Sequence, residues 1–159
     1  MTLFHEEQRF SSVWSWLLIV VLDVPFILIL LLAREPALIL GVIIVSTIAL
    51  LFRIARLSVD VTPDEIVLAF HFMWPTRRVR IADVARAQAT RYNALLDYGG
   101  YGVRLGPQGW AFNAGGGEGV LVETKDGKRL MIGSRRANEL QDAIAKAVRP
   151  SAGSAAALT

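Results

Sequence analysis

Cysteine is absent from this chain of 159 residues, and histidine occurs only twice, at His5 and His71. Without cysteine there is no disulfide framework, no thiolate metal site and no cysteine nucleophile. One histidine lies in the leader and the other in an expected strand, so together they form neither a metal site nor a catalytic triad. We therefore expect no cofactor and no metal, and the sequence does not indicate an enzyme.

Charged residues are scarce in the first third of the chain and become regular only after Arg53. Two apolar runs occupy this part, residues 13–33 and 37–54, separated by Arg34-Glu35-Pro36. At about 1.5 Å per residue, helices of these lengths approach the ~30 Å thickness of the hydrocarbon core of a bilayer. The pattern predicts a transmembrane helical hairpin that follows a leader at residues 1–12.

The distribution of arginine predicts the orientation of this hairpin. The short connection has Arg34 beside Glu35, whereas the flanks have Arg9, Arg53 and Arg56. By the positive-inside tendency, both termini are expected in the cytoplasm. The expectation is a two-pass protein of the inner (plasma) membrane, with the lipid bilayer as a partner.

Asp23 lies near the middle of the first run, where a carboxylate in a membrane span is costly. We expect hydrogen bonds to it from Ser46 and Thr47, which lie at a similar depth of the second helix. Ala37 and Gly41 form a pair of small residues that favours close approach of two helices. We interpret Asp23, Gly41, Ser46 and Thr47 as helix-pairing residues. The alternative interpretation is that Asp23 relays ions or protons in an oligomeric, transport-related assembly.

Short segments of alternating apolar and polar residues follow, and they predict a β-rich domain at residues 55–149. About seven strands precede one amphipathic helix, which either Ser134 or Asn138 caps. The Asp126-Gly127 pair predicts a hairpin between the last two strands. The small residues of 150–159 predict a disordered tail.

Several glycine and turn motifs resemble those of a known family. They are Glu6-Glu7-Gln8-Arg9-Phe10, Gly99-Gly100-Tyr101-Gly102-Val103-Arg104, Trp110, and Asp126-Gly127 followed by Ile132-Gly133-Ser134. With the two preceding helices, this order is similar to bacterial two-helix membrane proteins that have a cytoplasmic pleckstrin-homology-like domain. The resemblance implies an α+β membrane protein, in which a transmembrane hairpin precedes a small β-barrel capped by one C-terminal helix. It also implies a cytoplasmic binding module rather than an enzyme.

Arg77, Arg78 and Arg80 form the densest basic cluster of the chain. Close to a bilayer, each arginine adds about 1 kcal/mol of attraction to anionic lipid headgroups. A solvated strand face is the alternative interpretation of the same residues. The cluster is therefore a candidate site for an anionic lipid or a partner.

Tyr98, Tyr101, Arg104 and Trp110 surround a glycine-rich stretch. Aromatic rings beside arginine are typical of recognition surfaces, because they give a large contact area at a low entropic cost. Small barrels also use such rings to fill their cores, so both interpretations stay open.

The sequence therefore predicts a membrane-anchored binding or scaffold module that docks a protein partner or assembles with further copies of itself. Peripheral sensing of anionic lipid by the basic cluster is one alternative, and the assembly using Asp23 is another. We expect no nucleic-acid partner.

Overall fold

The computed structural model of the chain describes residues 1–9, 12–33, 37–71 and 74–156. These residues form an α+β fold with two compact units. One unit is Arg9–Ala55, and the other combines Met1–Gln8 with Arg56–Thr159. The first unit is thus inserted in the chain between two pieces of the second.

Two helices form the inserted unit, α1 (Ser12–Ala33) and α2 (Ala37–Ile54). Large apolar side chains such as Leu32 and Leu40 are exposed on both helices. The helices approach each other at Gly41, where a Cβ would lie 3.1 Å from Cε1 of Phe26. A larger residue at that position would require the Phe26 ring to move.

Among the described residues, no helix is both long and apolar enough to cross a membrane. The predicted transmembrane hairpin is therefore wrong, as is the predicted location as a two-pass inner-membrane protein with both termini in the cytoplasm. The prediction relied on the length and apolar content of the two runs, although it placed Asp23 near the middle of the first one. However, Asp23 and Pro25 lie inside α1, and Arg53 lies near the end of α2. A proline removes a backbone hydrogen bond and a charge is costly to bury, so the length of each run was a poor guide.

The β-rich unit begins with a four-stranded sheet in the order β1-β2-β3-β4. Its strands are β1 (Phe4–Arg9), β2 (Arg56–Val61), β3 (Glu65–His71) and β4 (Trp74–Arg80). The alternation of apolar residues in the sequence explains the two central strands, because it places apolar side chains on one buried face. Val59 pairs with Leu68, Leu57 pairs with Phe70, and all four side chains are buried.

The second sheet has five strands in the order β5-β8-β9-β7-β6. Its strands are β5 (Val84–Arg91), β6 (Gly102–Gly106), β7 (Gly109–Asn113), β8 (Glu118–Thr124) and β9 (Arg129–Gly133). Neighbours are antiparallel except β7 and β9, which are parallel. The hairpin predicted from Asp126-Gly127 is confirmed as the β8–β9 connection, where Gly127 has a φ of 79°.

Three short or terminal elements complete the unit: a 3₁₀ turn at Ile81–Asp83, α3 (Ala94–Tyr98) and α4 (Ala137–Ala156). Leu140 and Ile144 of α4 are fully buried, as expected for its apolar stripe. Ser134 lies three residues before the start of this helix, and its hydroxyl oxygen accepts a hydrogen bond from the backbone N–H of Arg136 at 3.0 Å. The helix extends beyond residue 149, its expected end, so the described part of the predicted disordered tail, residues 150–156, is helical.

Residues 4–9, which the sequence assigned to the leader, form the edge strand β1. Its inward side chains include two polar ones, Glu6 and Gln8, which are 7% and 2% exposed. The Glu6 carboxylate accepts hydrogen bonds from the hydroxyl of Ser134 at 2.5 Å and from the backbone N–H of Arg135 at 3.1 Å. The Gln8 amide donates to the carbonyl oxygen of Gly133 at 2.8 Å. Strand β1 is therefore attached to the junction between β9 and α4.

The predicted barrel of about seven strands with a single closing helix is wrong. The described ranges contain nine strands in two sheets, and a second helix, α3, lies within the β-rich unit. Strand β1 accounts for part of the difference, because two of its three buried side chains, Glu6 and Gln8, are polar and its sequence lacks the apolar alternation that identifies a strand.

A basic and aromatic cleft along strand β4

Strand β4 forms one edge of the first sheet. It pairs with β3 on one side, for example through Val67 and Arg78, and has no strand neighbour on its other side in the described part of the chain. The pairing register shifts between Leu68 and Phe70, and Pro75 lies within β4. A bulge, a proline and charged side chains all hinder the pairing of a further strand.

Three cavities lie along the free side of β4, with volumes of about 450, 530 and 280 Å³. Arg77 lines all three, and they share further lining residues, so we call the whole the β4 cleft. Its walls come from β4, from the β6–β7 connection with the start of β7, and from the β8–β9 hairpin. Every wall belongs to the β-rich unit.

One end of the β4 cleft is strongly basic. The cavity of about 450 Å³ is lined by two acids, Asp83 and Asp126, and by six cations. The cations are Arg77, Arg78, Arg80, Lys125, Lys128 and Arg129. The excess of positive charge favours an anionic ligand at this end.

Four of these cations are paired with acids. The ion pairs are Arg78 with Glu65 at 2.8 Å, Arg80 with Asp83 at 2.9 Å, Lys128 with Asp126 at 2.6 Å, and Arg129 with Glu123 at 3.2 Å. The side chains of Arg77 and Lys125 have no ion pair within the described ranges. These two cations are thus available to a ligand.

The β8–β9 turn keeps its own carboxylate ionised. Hydrogen bonds from Lys128 and from the hydroxyl of Thr124 lower the pKa of Asp126 from 3.8 to about 2. Asp126 therefore remains the partner of Lys128 at every ordinary pH. The charge of Lys128 is already compensated, so the net positive charge of the cleft is concentrated at Arg77 and Lys125.

The other end of the cleft is aromatic. The ring centroids of Trp74 and Trp110 are 6.5 Å apart, and their planes meet at 47°. Trp74 is 50% exposed, and both rings line the cavity of about 280 Å³ together with Phe112. Gly109 makes this geometry possible, because its φ is 97° and a Cβ there would collide with the carbonyl oxygen of Arg129.

The structure brings Arg77, Arg78, Arg80 and Trp110 together around the cleft. It separates Tyr98 from them, because Trp110 and Ala111 follow each other in β7 and their side chains point to opposite faces. Ala111 belongs to the buried cluster of Tyr98, whose members are Tyr92, Ala94, Tyr98, Ala111 and Met131. Burial raises the pKa of the Tyr98 phenol, and the charge of Asp97 adds to the shift.

Tyr101 and Arg104 also lie outside the cleft lining. Tyr101 is partly buried and packs against the cluster that contains Tyr98. Arg104 is exposed on β6, where its Nε donates a hydrogen bond to the carbonyl oxygen of Tyr101 at 3.2 Å. Of the predicted aromatic surface, only Trp110 lines the cleft.

The predicted helix-pairing residues lie in the inserted unit. Gly41 contacts the ring of Phe26, as described above. The Thr47 hydroxyl donates to the carbonyl oxygen of Ile43 in its own helix at 2.7 Å. Ser46 lies in α2, and the side chain of Asp23 lies outside the described part of the structure. The assembly based on Asp23 required a membrane span, so we do not propose it.

Among the cleft residues that sequence reasoning did not select are one aromatic residue, Trp74, and three cations, Lys125, Lys128 and Arg129. A usable signal was present, because three of these cations flank the Asp126-Gly127 turn that predicted the hairpin. The turn brings them to one end of the second sheet. Their approach to β4 depends on packing between the sheets, which local sequence does not specify.

Comparisons with known protein families, with characterised proteins and with solved structures found no match to this chain. In the described ranges, no group of three or more His, Asp or Glu residues is placed to hold a metal ion. The resemblance to proteins with a pleckstrin-homology-like domain therefore stays a prediction. The geometry of the β4 cleft is the basis for any functional proposal.

Proposed function

We propose that the β-rich unit is a docking module that binds an acidic, extended segment of a protein partner in the β4 cleft. The main support is Arg77, whose partly exposed side chain lines all three cavities and has no ion pair in the described part of the chain. An unpaired arginine between a basic and an aromatic surface is typical of recognition sites.

The charges of the cleft favour a carboxylate-rich ligand. A hydrogen bond between arginine and a carboxylate contributes about 1.5–3 kcal/mol when it is partly shielded from water. Arg77 and Lys125 both offer such donors without first breaking an internal ion pair. An acidic segment that contacts both gains this attraction.

A protein partner accounts for the cleft better than a lipid surface does. Two arginines of the predicted lipid-binding cluster, Arg78 and Arg80, are already paired with Glu65 and Asp83. These two arginines therefore contribute less to the attraction of any anion, and Arg77 is the arginine of the cluster that has no ion pair in the described ranges. The elongated cleft with tryptophans at one end instead matches an extended chain, since such a chain presents both charged and apolar side chains along its length.

The test uses the full chain and a fluorescein-labelled peptide of about eight glutamates, with fluorescence anisotropy as the measurement. We expect Arg77→Ala to weaken binding about 5–10-fold, because one charge-assisted contact is lost. The matched control is Arg86→Ala, which removes an exposed arginine on β5 that does not line the cavities described above. This control should stay within about twofold of the unchanged protein.

Equal weakening by both arginine substitutions would show nonspecific attraction and contradict the proposal, as would binding that is insensitive to Arg77→Ala. Vesicles of phosphatidylserine and phosphatidylcholine test the lipid alternative in parallel. If the anionic vesicles bind in an Arg77-dependent manner while the peptide does not bind, the ligand is a lipid and the protein-docking proposal is wrong.

A further inference from the structure

The β4 cleft has two chemically different ends that meet at Arg77. The cavity at one end has six cations in its lining, and the smaller cavity at the other end is lined by Trp74, Trp110 and Phe112. Arg77 lines both. A ligand with acidic side chains alone would use only the basic end.

The indole of Trp74 is more exposed than the large apolar side chains of the neighbouring strands. It is 50% exposed on an edge strand, although most large apolar side chains of β2 and β3 are fully buried. Trp74 and Trp110 meet at 47° and form two walls of a cavity of about 280 Å³. An aromatic side chain seated there would contact both indoles in the tilted arrangement that aromatic pairs favour.

We infer that the segment bound in the β4 cleft combines acidic residues with one aromatic residue, which occupies the Trp74–Trp110 cavity. This inference rests on the proposed function and adds the chemistry of the partner. The distance along β4 sets the spacing, because an extended strand rises about 3.3 Å per residue. Trp74 precedes Arg77 by three positions in β4, so the aromatic residue lies about three residues from the acidic residue that binds Arg77.

The test compares four labelled peptides of equal length against the full chain. One has three glutamates followed by serines and glycines, and a second has phenylalanine about four residues after the middle glutamate. A third has the same residues in reverse order, which tests the direction of the chain in the cleft. The fourth keeps the phenylalanine and replaces the glutamates with serine.

We expect phenylalanine to tighten binding of the acidic peptide about 5–10-fold in one of the two orders. Trp74→Ala and Trp110→Ala should each remove this gain while leaving the binding of the purely acidic peptide within about twofold. Leu96→Ala is the matched control, since Leu96 is an exposed apolar residue of α3 that does not line the described cavities. It should leave the gain unchanged.

The outcomes separate the inference from the proposed function. If the acidic peptide binds through Arg77 but phenylalanine adds less than about twofold in both orders, the inference is wrong and the docking proposal stands. A gain that survives both tryptophan substitutions would place the aromatic residue elsewhere and also overturn the inference. If the acidic peptide does not bind at all, both are wrong. Because Trp74 lies on an exposed edge, its variant keeps the test valid even where Trp110→Ala disturbs folding.

Discussion

The two edges of the first sheet differ in what their polar side chains do. On β1, Glu6 and Gln8 point inward and bind the Gly133–Arg135 segment. On β4, Arg77 lines the cleft and has no such partner in the described ranges. Polar side chains of an edge strand can thus be bound within the protein, as on β1, or remain available to a ligand, as on β4.

Burial separates the two cases. A buried polar group must find a partner within the protein, since leaving it unpaired costs about 1–3 kcal/mol. A partly exposed cation such as Arg77 can be hydrated by water and needs no partner within the protein, so folding alone does not explain its position. Substitutions on β1 should therefore change stability, and substitutions on β4 should change binding.

Glu6→Ala should have the largest effect on stability. It removes the acceptor of one buried hydrogen bond, from Ser134, and one partly buried hydrogen bond, from Arg135, and we expect the free energy of unfolding to fall by about 2–4 kcal/mol. Urea denaturation followed by circular dichroism measures this change. Glu7→Ala is the control, because Glu7 is exposed on the same strand and lies 3.7 Å from Arg56. Similar effects of both substitutions would contradict the claim that the hydrogen bonds of Glu6 attach β1 to the β9–α4 junction.

Gly133→Ala should have the next largest effect. A Cβ at this position would lie 2.7 Å from the Tyr92 hydroxyl and 3.0 Å from the Cβ of Asn113, so crowding should lower stability by about 1–3 kcal/mol. Gly115→Ala is the control, since nothing lies within 4 Å of its Cβ position. Thermal unfolding of both variants makes the comparison. An unchanged Gly133→Ala protein would mean that the β9–α4 junction is looser than described.

Arg77→Ala should leave the free energy of unfolding within about 0.5 kcal/mol, because no ion pair in the described ranges is lost. Arg78→Ala breaks the exposed pair with Glu65 and should lower stability by less than about 1 kcal/mol. The same urea titration measures both. If Arg77→Ala lowered the free energy of unfolding by more than about 2 kcal/mol, Arg77 would have a structural role, and β1 and β4 would not differ in the way described.

The smallest effect concerns Asp126 at the basic end of the cleft. Its pKa in the folded protein, about 2, is below the ordinary value of 3.8. The charged form is thus favoured by folding, so this contribution to stability is present above pH 3.8 and is lost as the pH falls toward 2. A carboxyl titration by NMR should give a midpoint near 2, and Lys128→Ala should move it upward. A midpoint near 3.8 would show that the hydrogen bonds of the turn do not stabilise the ionised form of Asp126.

Local sequence was sufficient for much of the β-rich unit. Strands β2 and β3 follow from apolar alternation, and the β8–β9 hairpin follows from Asp126-Gly127. The basic cluster on β4 was identifiable because its arginines are consecutive or nearly so. These features depend on periodicity and turn chemistry, which act over a few residues.

The errors have long-range or compositional causes. Strand β1 was missed because Glu6 and Gln8 have partners more than 120 residues away, which no local pattern shows. Tyr98 was a candidate for a recognition surface or for the core, and the structure places it with Ala111 in a buried cluster. The transmembrane prediction depended on apolar content and length alone, and the described helices do not satisfy the requirement.

The attachment of β1 also has a consequence for how the chain is made. Gln8 leaves the ribosome 125 residues before Gly133, and at about 5–20 residues per second this delay is roughly 6–25 s. During that interval the side chains of Glu6 and Gln8 have none of the partners they reach in the finished protein. The earliest strand in the sheet is therefore fixed in place by residues that are translated about 125 positions later.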